Sequence, residues 1–434
     1  MLGWVLGALL ALCDGLVWAE LGAAMPKAGG TYHYLRQIYP GRAGRMLSFL
    51  FLFQLCFSAP LSIASGCIGL SQYATYLWPR FAEHTTTHIV HLGEYSAAIS
   101  VGPTTLIAIA AVLLAVVLLY RNLAKMRSLS AFLLATVLLT IGWAVLTGLL
   151  HGHIRQVFDF APGAFQLNRG FFTGLGSAML IATYDYWGYY NVTFLGGEAR
   201  DPGRTIPRAV LISIAIVAAL YLALNVSILA VLPSAQLLAL QNIGMRRALL
   251  SQFMQTAYSP SLGAYMGQVL GKVAAVLVMV TAFASVFALL LGYSRIPFAA
   301  AREGGFFAVF GKLHPTRNFP HVSLLALAGV ACVACFFSLG DVVAALVVIR
   351  ILLQFLLQHV GVMVLRRTQP NLPRPFRMNL YPLPPLIALV GFLYIVIFRP
   401  NFHRELALAG CVLIAGVLAY AVWAYFGRQP SKIA

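Results

Sequence analysis

Long runs without charged residues dominate this sequence and decide what the chain can fold into. Eight runs, among them Leu47–Pro79 and Ala209–Met245, contain no Lys, Arg, Asp or Glu. A helix needs about 20 apolar residues to cross the roughly 30 Å hydrocarbon core of a bilayer. Only 9% of the residues are charged, against about 25% in a soluble domain. The sequence therefore predicts an integral membrane protein and excludes a soluble one.

Three further apolar runs each carry an internal charge. Leu2–Ala24 contains Asp14 and Glu20, Phe171–Leu195 contains Asp185, and Asp341–Leu365 contains Arg350. Together with the charge-free runs they predict an all-α membrane protein with one transporter domain over residues 1–434. Its eleven predicted spans are approximately 2–24, 46–78, 101–120, 128–150, 171–195, 208–231, 267–294, 321–338, 341–365, 382–399 and 406–427.

The few charges are strongly basic, with 29 Lys and Arg against 11 Asp and Glu. These basic residues lie in short gaps between apolar runs, which favours a lipid bilayer as partner and argues against nucleic acid. With eleven spans, 20 of the 29 basic residues fall on one side and seven on the other. The positive-inside rule then predicts a multi-pass protein of the cell membrane, plasma or inner, with a cytoplasmic C-terminus.

Asp185 is the most informative charge because ionisable groups inside a bilayer are costly and usually functional. It lies in the segment 182–191, where an apolar helix abruptly fills with hydroxyl and aromatic side chains. A break in the helix here would free backbone groups to line a pocket. The residues predicted to contact a substrate are Tyr184, Asp185, Tyr186, Trp187 and Gly188. The alternative is that Asp185 caps a helix or pairs with a buried cation.

Arg350 is the second intramembrane charge, and Gln354 and Gln358 follow it at helical spacing. This polar stripe is expected to face the protein interior, where Arg350 would pair with Asp185, bind a carboxylate or hold helices together. Polar stripes of other spans are either pathway residues or close helix contacts. The pathway or coupling candidates are Arg350, Gln354, Ser58, Ser62 and Ser285.

The chain lacks the common catalytic and nucleotide-binding signatures. H-E-x-x-H, G-x-S-x-G, Walker A and dinucleotide fingerprints are all absent from the sequence. This disfavours an enzyme and an ATP-driven pump. No cofactor and no metal site are predicted.

Several stretches in chain order resemble the amino acid–polyamine–organocation (APC) superfamily, and its L-type amino acid transporter branch in particular. They are Trp18–Gly22, Pro26–Arg36, Tyr184–Trp187, Gly197–Arg208, Ser294–Arg295, Ala301–Phe307, His314–Pro315 and Arg374–Arg377. The resemblance implies an inverted-repeat fold of 5+5 helices plus two, of the leucine-transporter type. It also implies an amino acid permease that works by alternating access, with a substrate site between two unwound helices.

The sequence departs from the family pattern at its beginning. The Gly-rich discontinuous first helix of the family has no counterpart before Trp18, so the eleven spans correspond to the family's twelve minus the first. We expect transmembrane transport of amino acids, by exchange or as a facilitator. One alternative is an antiporter of cationic amino acids or polyamines. The alternative from another class is a non-transporting membrane sensor or an inactive truncated remnant.

Overall fold

The computed structural model is all-α apart from one two-stranded hairpin. It describes residues 1–27, 29–92, 95–120, 126–160, 163–194, 196–238, 246–317, 319–399 and 402–426.

The helices of the first half are α1 (Leu2–Ala24), α2 (Thr31–Ile38), α3 (Gly41–Leu77), α4 (Arg80–Glu83), α5 (Pro103–Leu119), α6 (Met126–His151), α7 (Arg169–Tyr186) and α8 (Asn191–Phe194). Short 3₁₀ turns cover Ile154–Phe158 and Gly196–Glu198. Strands β1 (Thr86–Leu92) and β2 (Tyr95–Val101) form an antiparallel hairpin between α4 and α5.

The helices of the second half are α9 (Pro202–Val231), α10 (Ser234–Leu238), α11 (Leu249–Leu262), α12 (Ala264–Arg302), α13 (His321–Ala334), α14 (Leu339–Arg350), α15 (Leu356–Thr368), α16 (Leu383–Ile397) and α17 (Phe402–Phe426). A 3₁₀ turn covers Ala308–Gly311. A π-helical turn over Ile351–Phe355 joins α14 to α15, so Leu339–Thr368 runs as one continuous helix.

Seven of the described helices are long and apolar enough to cross a membrane, judged by length and composition. Three shorter apolar helices, α5, α13 and α16, accompany them. Each of the eleven predicted spans overlaps at least one of the helices above, and which of them cross the bilayer stays a prediction. Many side chains on the outer surface are large and apolar, for example Leu139, Leu149 and Val390. A lipid-facing surface has this character.

Small residues bring α1 close to its neighbours. A Cβ atom added at Gly7 would lie 2.9 Å from that of Ala182 on α7, and one added at Gly391 on α16 would lie 2.8 Å from Leu10. Membrane helices approach closely through such residues. As a result α1 lies between α7, α9 and α16, with Asp14 in its buried part.

Helix α3 is the second central element. It packs against α12, α13, α14 and α5, and its buried face carries Ser58 and Ser62. The packing of α1 and α3 places their polar residues opposite two other parts of the chain. These are the segment that follows α7 and the long helix Leu339–Thr368, which contains Arg350.

Candidate functional site

The segment predicted to unwind does contain a helix break, but the break begins later than predicted. Helix α7 continues through Tyr186 because the N–H of Trp187 still donates to the carbonyl of Thr183 at 3.1 Å. The chain then leaves the helix over residues 187–190 and re-enters one at Asn191. Tyr184 and Asp185 therefore belong to the last helical turn, and not to the unwound part.

Gly188 makes this break possible. Its φ angle is +132°, in a region that side chains with a Cβ atom rarely adopt. A Cβ atom built at Gly188 would meet nothing within 4 Å, so backbone conformation and not space requires glycine here. Within the described chain, the N–H groups of Gly188 and Tyr189 make no backbone hydrogen bond. Donors of this kind at a helix break suit the polar ends of a ligand.

A cavity of about 390 Å³ opens beside the break, against α9. Ligand pockets in proteins start at roughly this size. Four of the five predicted substrate residues line it, and these are Asp185, Tyr186, Trp187 and Gly188. Helix α9 contributes the opposite wall with residues that include Ser213, Ile214 and Tyr221. Asp185 forms no ion pair with any residue that the structure describes.

Tyr184, the fifth predicted residue, faces another neighbour. Its hydroxyl lies 2.5 Å from Oγ of Ser65 on α3. Tyr184 therefore ties the last turn of α7 to α3 and does not line the cavity.

Arg350 is buried at the end of α14 and binds the two predicted serines of α3. Its Nε donates to Oγ of Ser58 at 3.2 Å and its Nη2 donates to Oγ of Ser62 at 2.9 Å. Nη2 also donates to the Ser58 carbonyl at 3.2 Å, and Nη1 donates to the Tyr190 hydroxyl at 3.3 Å. Three of the predicted pathway residues thus meet in one cluster with the break.

All four of these acceptors are uncharged. The rings of Trp187 and Tyr293 lie 5.8 and 5.2 Å from the guanidinium, where they add cation–π stabilisation. Among the described residues, no carboxylate approaches Arg350 within ion-pair distance, so it does not pair with Asp185. A buried cation without a counter-ion among the described residues is unusual.

The two remaining pathway candidates do not join this cluster. Ser285 on α12 is exposed, and its hydroxyl donates to the Thr281 carbonyl of its own helix at 3.4 Å. Gln354 lies buried in the π-helical turn, and its Nε2 has no partner among the described residues. Gln54, one turn before Ser58, is also buried, and neither polar atom of its amide has a hydrogen-bond partner among the described residues. Among the described residues, no group forms a hydrogen bond with these amide atoms.

Sequence reasoning missed one buried polar cluster altogether. Asp14 of α1 and His359 of α15 are both fully buried, with Oδ1 and Nε2 3.1 Å apart. The hydroxyl of Tyr189, in the break, donates to Oδ2 of Asp14. Asp14 stands out in the sequence only as an internal charge of the first apolar run, and His359 carries no charge in a count that treats histidine as neutral.

Glu20 is the other acidic residue of α1, and it lies at a second ion cluster. Arg366 of α15 binds it through both Nε (2.8 Å) and Nη2 (2.5 Å). Nε of Arg374 lies 3.6 Å away, and the N–H of Met378 donates to Glu20 at 2.9 Å. The arginines that bind Glu20 thus come from α15 and from the loop that follows it.

The fold and this arrangement of a broken helix beside buried charges define a multi-pass membrane transporter. The family model for amino acid permeases matches residues 1–419, so the chain belongs to the amino acid permease family. This confirms the APC resemblance, the all-α fold and amino acid transport as the function.

Characterised relatives match along nearly the whole chain. The serine/threonine exchanger SteT of Bacillus subtilis (strain 168) is 23% identical over 434 residues, covering 100% of this chain and 89% of the relative. The Asc-type amino acid transporter 1 of Homo sapiens is 25% identical, covering 99% and 76%. The branched-chain amino acid permease BcaP of Bacillus subtilis (strain 168) is 23% identical, covering 91% and 80%.

Proposed function

We propose that this permease exchanges neutral α-amino acids across the cell membrane by alternating access. The observation that carries the proposal is the buried Arg350, whose bound groups are all neutral. A guanidinium offers a fork of donors that fits a carboxylate. In this proposal Arg350 attracts the carboxylate of the amino acid, and the free N–H groups at the break assist it.

Asp185 is the complementary charge, because it lines the cavity beside the break without an ion pair in the described structure. We assign it to the ammonium group of the amino acid. Trp187 lines the same cavity and also lies 5.8 Å from Arg350. Its indole therefore separates the two charges and has to move as the substrate enters. In this proposal the site binds the carboxylate and the ammonium group of the amino acid without reacting with either. The proposed activity is therefore transport and not covalent chemistry.

SteT is named a serine/threonine exchanger and BcaP a branched-chain amino acid permease, and serine, threonine and the branched-chain amino acids all have uncharged side chains. The antiporter of cationic amino acids or polyamines remains the rival, since Asp185 alone would favour a cation. Arg350 disfavours it, because a second positive charge beside an uncompensated guanidinium is repelled. For orientation, we propose a cytoplasmic C-terminus on the charge distribution of the loops.

Exchange in proteoliposomes tests the proposal. Vesicles loaded with unlabelled L-serine or L-leucine are to take up the labelled amino acid, and external L-alanine is to compete. L-arginine and putrescine are expected to leave uptake unchanged. Effective competition by L-arginine or putrescine would establish the rival, and no exchange of either amino acid would overturn the proposal.

Substitution of the two charges tests the assigned roles. Arg350→Gln and Asp185→Asn are each expected to reduce exchange at least about tenfold, the effect of losing one charge-assisted hydrogen bond. Arg204→Gln and Asp201→Asn are matched controls, since their side chains are 78% and 66% exposed. Unchanged uptake by a folded Asp185→Asn variant would remove Asp185 from the mechanism.

A further inference from the structure

The pair formed by Asp14 and His359 is not used by the amino acid site described above. Both side chains are completely buried, and they join the centre of α1 to α15. Burying an unpaired charge is costly, so the protonation of this pair decides whether the arrangement is stable. The positions of its hydrogen-bond partners define that protonation.

The proton on the first ring nitrogen of His359 is fixed by its neighbour. Nδ1 lies 2.6 Å from the carbonyl oxygen of Phe355. A carbonyl only accepts hydrogen bonds, so Nδ1 carries a hydrogen and donates it. A neutral imidazole then has a bare lone pair on Nε2.

That second nitrogen lies 3.1 Å from Oδ1 of Asp14. Without a further proton, the pair would carry a net charge of about −1 in a dry interior. One proton on either His359 or Asp14 makes the pair neutral overall. The Tyr189 hydroxyl already donates to the other oxygen, Oδ2, so it does not supply this proton.

We propose that the pair of Asp14 and His359 is a binding site for one coupling proton, which crosses the membrane together with the amino acid. The proposal rests on the transport function proposed above. Tyr189 supplies the connection, because it belongs to the break beside the cavity and bonds directly to Asp14. Loss of the proton would remove the attraction between His359 and Asp14 and leave a net negative charge, and Tyr189, which is bonded to Asp14, would move with it.

The net charge of the pair depends on this one proton and on the groups that surround it. Three ionisable side chains interact electrostatically with Asp14. They are Cys13 of α1 and Tyr189 and Tyr190 of the break. Helix α16 presents Phe392 to the His359 ring, with centroids 5.5 Å apart, and α9 presents Ile214 at Gly15. These two are apolar.

Three further charged groups belong to two neighbouring clusters. Arg350 is bonded to Tyr190, and the Glu20 and Arg366 pair lies along the same two helices toward their other ends. Neither makes an ion pair with Asp14 in the part of the chain that the structure describes. The net charge of the pair therefore depends on whether this one proton is bound.

Proteoliposomes made with the full chain test the proposal in two modes. The first mode is exchange of labelled for unlabelled L-serine or L-leucine at equal pH on both sides. The second is uptake into vesicles free of amino acid with the outside more acidic, with a trapped pH-sensitive dye. We expect the wild type to accumulate the amino acid about tenfold for a gradient of about one pH unit, the equilibrium for one proton per substrate. The lumen is to acidify only when the amino acid is present.

Two substitutions locate the proton. Asp14→Asn places an amide where the protonated carboxyl stood, and His359→Gln offers a permanent donor to Asp14. In both variants the ratio of gradient-driven to equal-pH uptake is expected to fall to about one, the value for uncoupled transport. His151→Gln is the matched control, since Nδ1 of His151 also contacts the carbonyl four residues earlier, at 3.3 Å. It is expected to keep the wild-type ratio.

The outcomes separate the two proposals. A wild type that exchanges amino acids but ignores the pH gradient overturns the proton site and leaves the transport function intact. No uptake in either mode contradicts the transport function instead. Variants that keep the wild-type ratio move the proton elsewhere, and equal losses in both modes would show a purely structural role.

Discussion

Arg350 and Ser58 are joined twice, because Nε donates to the serine hydroxyl and Nη2 donates to the serine carbonyl, each at 3.2 Å. This double contact ties the end of α14 to the middle of α3. Since both acceptors are neutral, the guanidinium keeps its full charge for a ligand. The same residue is thus both a helix connection and the strongest electrostatic feature of the candidate site.

Replacing Arg350 with lysine separates charge from geometry. Arg350→Lys retains the cation but loses the fork that reaches Ser58, Ser62 and Tyr190 together. We expect KM for the exchanged amino acid to rise about tenfold or more, measured from the concentration dependence of uptake. Arg204→Lys on the surface is the control. An unchanged KM would mean that charge alone, without the fork, suffices.

Gly188 is expected to resist substitution for conformational reasons. Gly188→Ala forces a Cβ atom into a backbone with φ of +132°, which should destabilise the protein by about 1–2 kcal/mol. Gly410→Ala is the matched control, since Gly410 lies inside α17 with nothing within 4 Å of an added Cβ. That change should stabilise the helix by about 0.5–1 kcal/mol. Thermal unfolding in detergent measures both, and equal midpoints for the two variants would contradict the strained break.

The ion cluster at Glu20 is expected to hold α1 to α15. In Glu20→Gln, Arg366 and Arg374 lose their carboxylate, and we expect a loss of about 3 kcal/mol, the low end for a broken buried pair because Arg366 is 20% exposed. Glu303→Gln, at a carboxylate that is 46% exposed, should change stability by less than about 0.5 kcal/mol. Thermal midpoints of the purified proteins compare the two. A Glu20→Gln midpoint close to that of wild type would show that this cluster does not stabilise the fold.

Cysteine labelling tests the predicted orientation. In a variant without the six native cysteines, Thr87→Cys in the hairpin is expected to react with an impermeant maleimide added to whole cells. Thr316→Cys, in a loop predicted to be cytoplasmic, should react only after permeabilisation. Both positions are exposed, so access and not burial decides the result. The reverse pattern would invert the topology.

The helices of the protein were predictable because the cost of charge in lipid is visible residue by residue. The hairpin Thr86–Val101 was not, since charge scarcity says nothing about strands. Its β-branched residues, Thr86, Thr87, Ile89 and Val90, were the available signal.

The residues of the site were predicted more readily than their partners. Arg350, Ser58 and Ser62 were each selected from their own helix, but spacing within one helix does not say which other helix it faces. The stripe Arg350, Gln354 and Gln358 assumed a regular α-helix, and the π-helical turn interrupts it. Gln358 instead accepts a hydrogen bond from Thr31 at 2.6 Å. Ser285 was selected in the same way, and the structure places it on an exposed face of α12, because one helix seen alone has no reference direction.

The π-helical turn also determines how the two buried sites relate to each other. It lies between Arg350 and His359 and is closed by the N–H of Leu356 donating to the Ile351 carbonyl. Each residue of an α-helix advances the chain by about 100° around the axis. Expelling the extra residue of this turn would therefore rotate Arg350 against His359 by about that angle. The π-helical turn thus sets the rotation of Arg350 relative to His359, and only this rotation presents both side chains to their present partners.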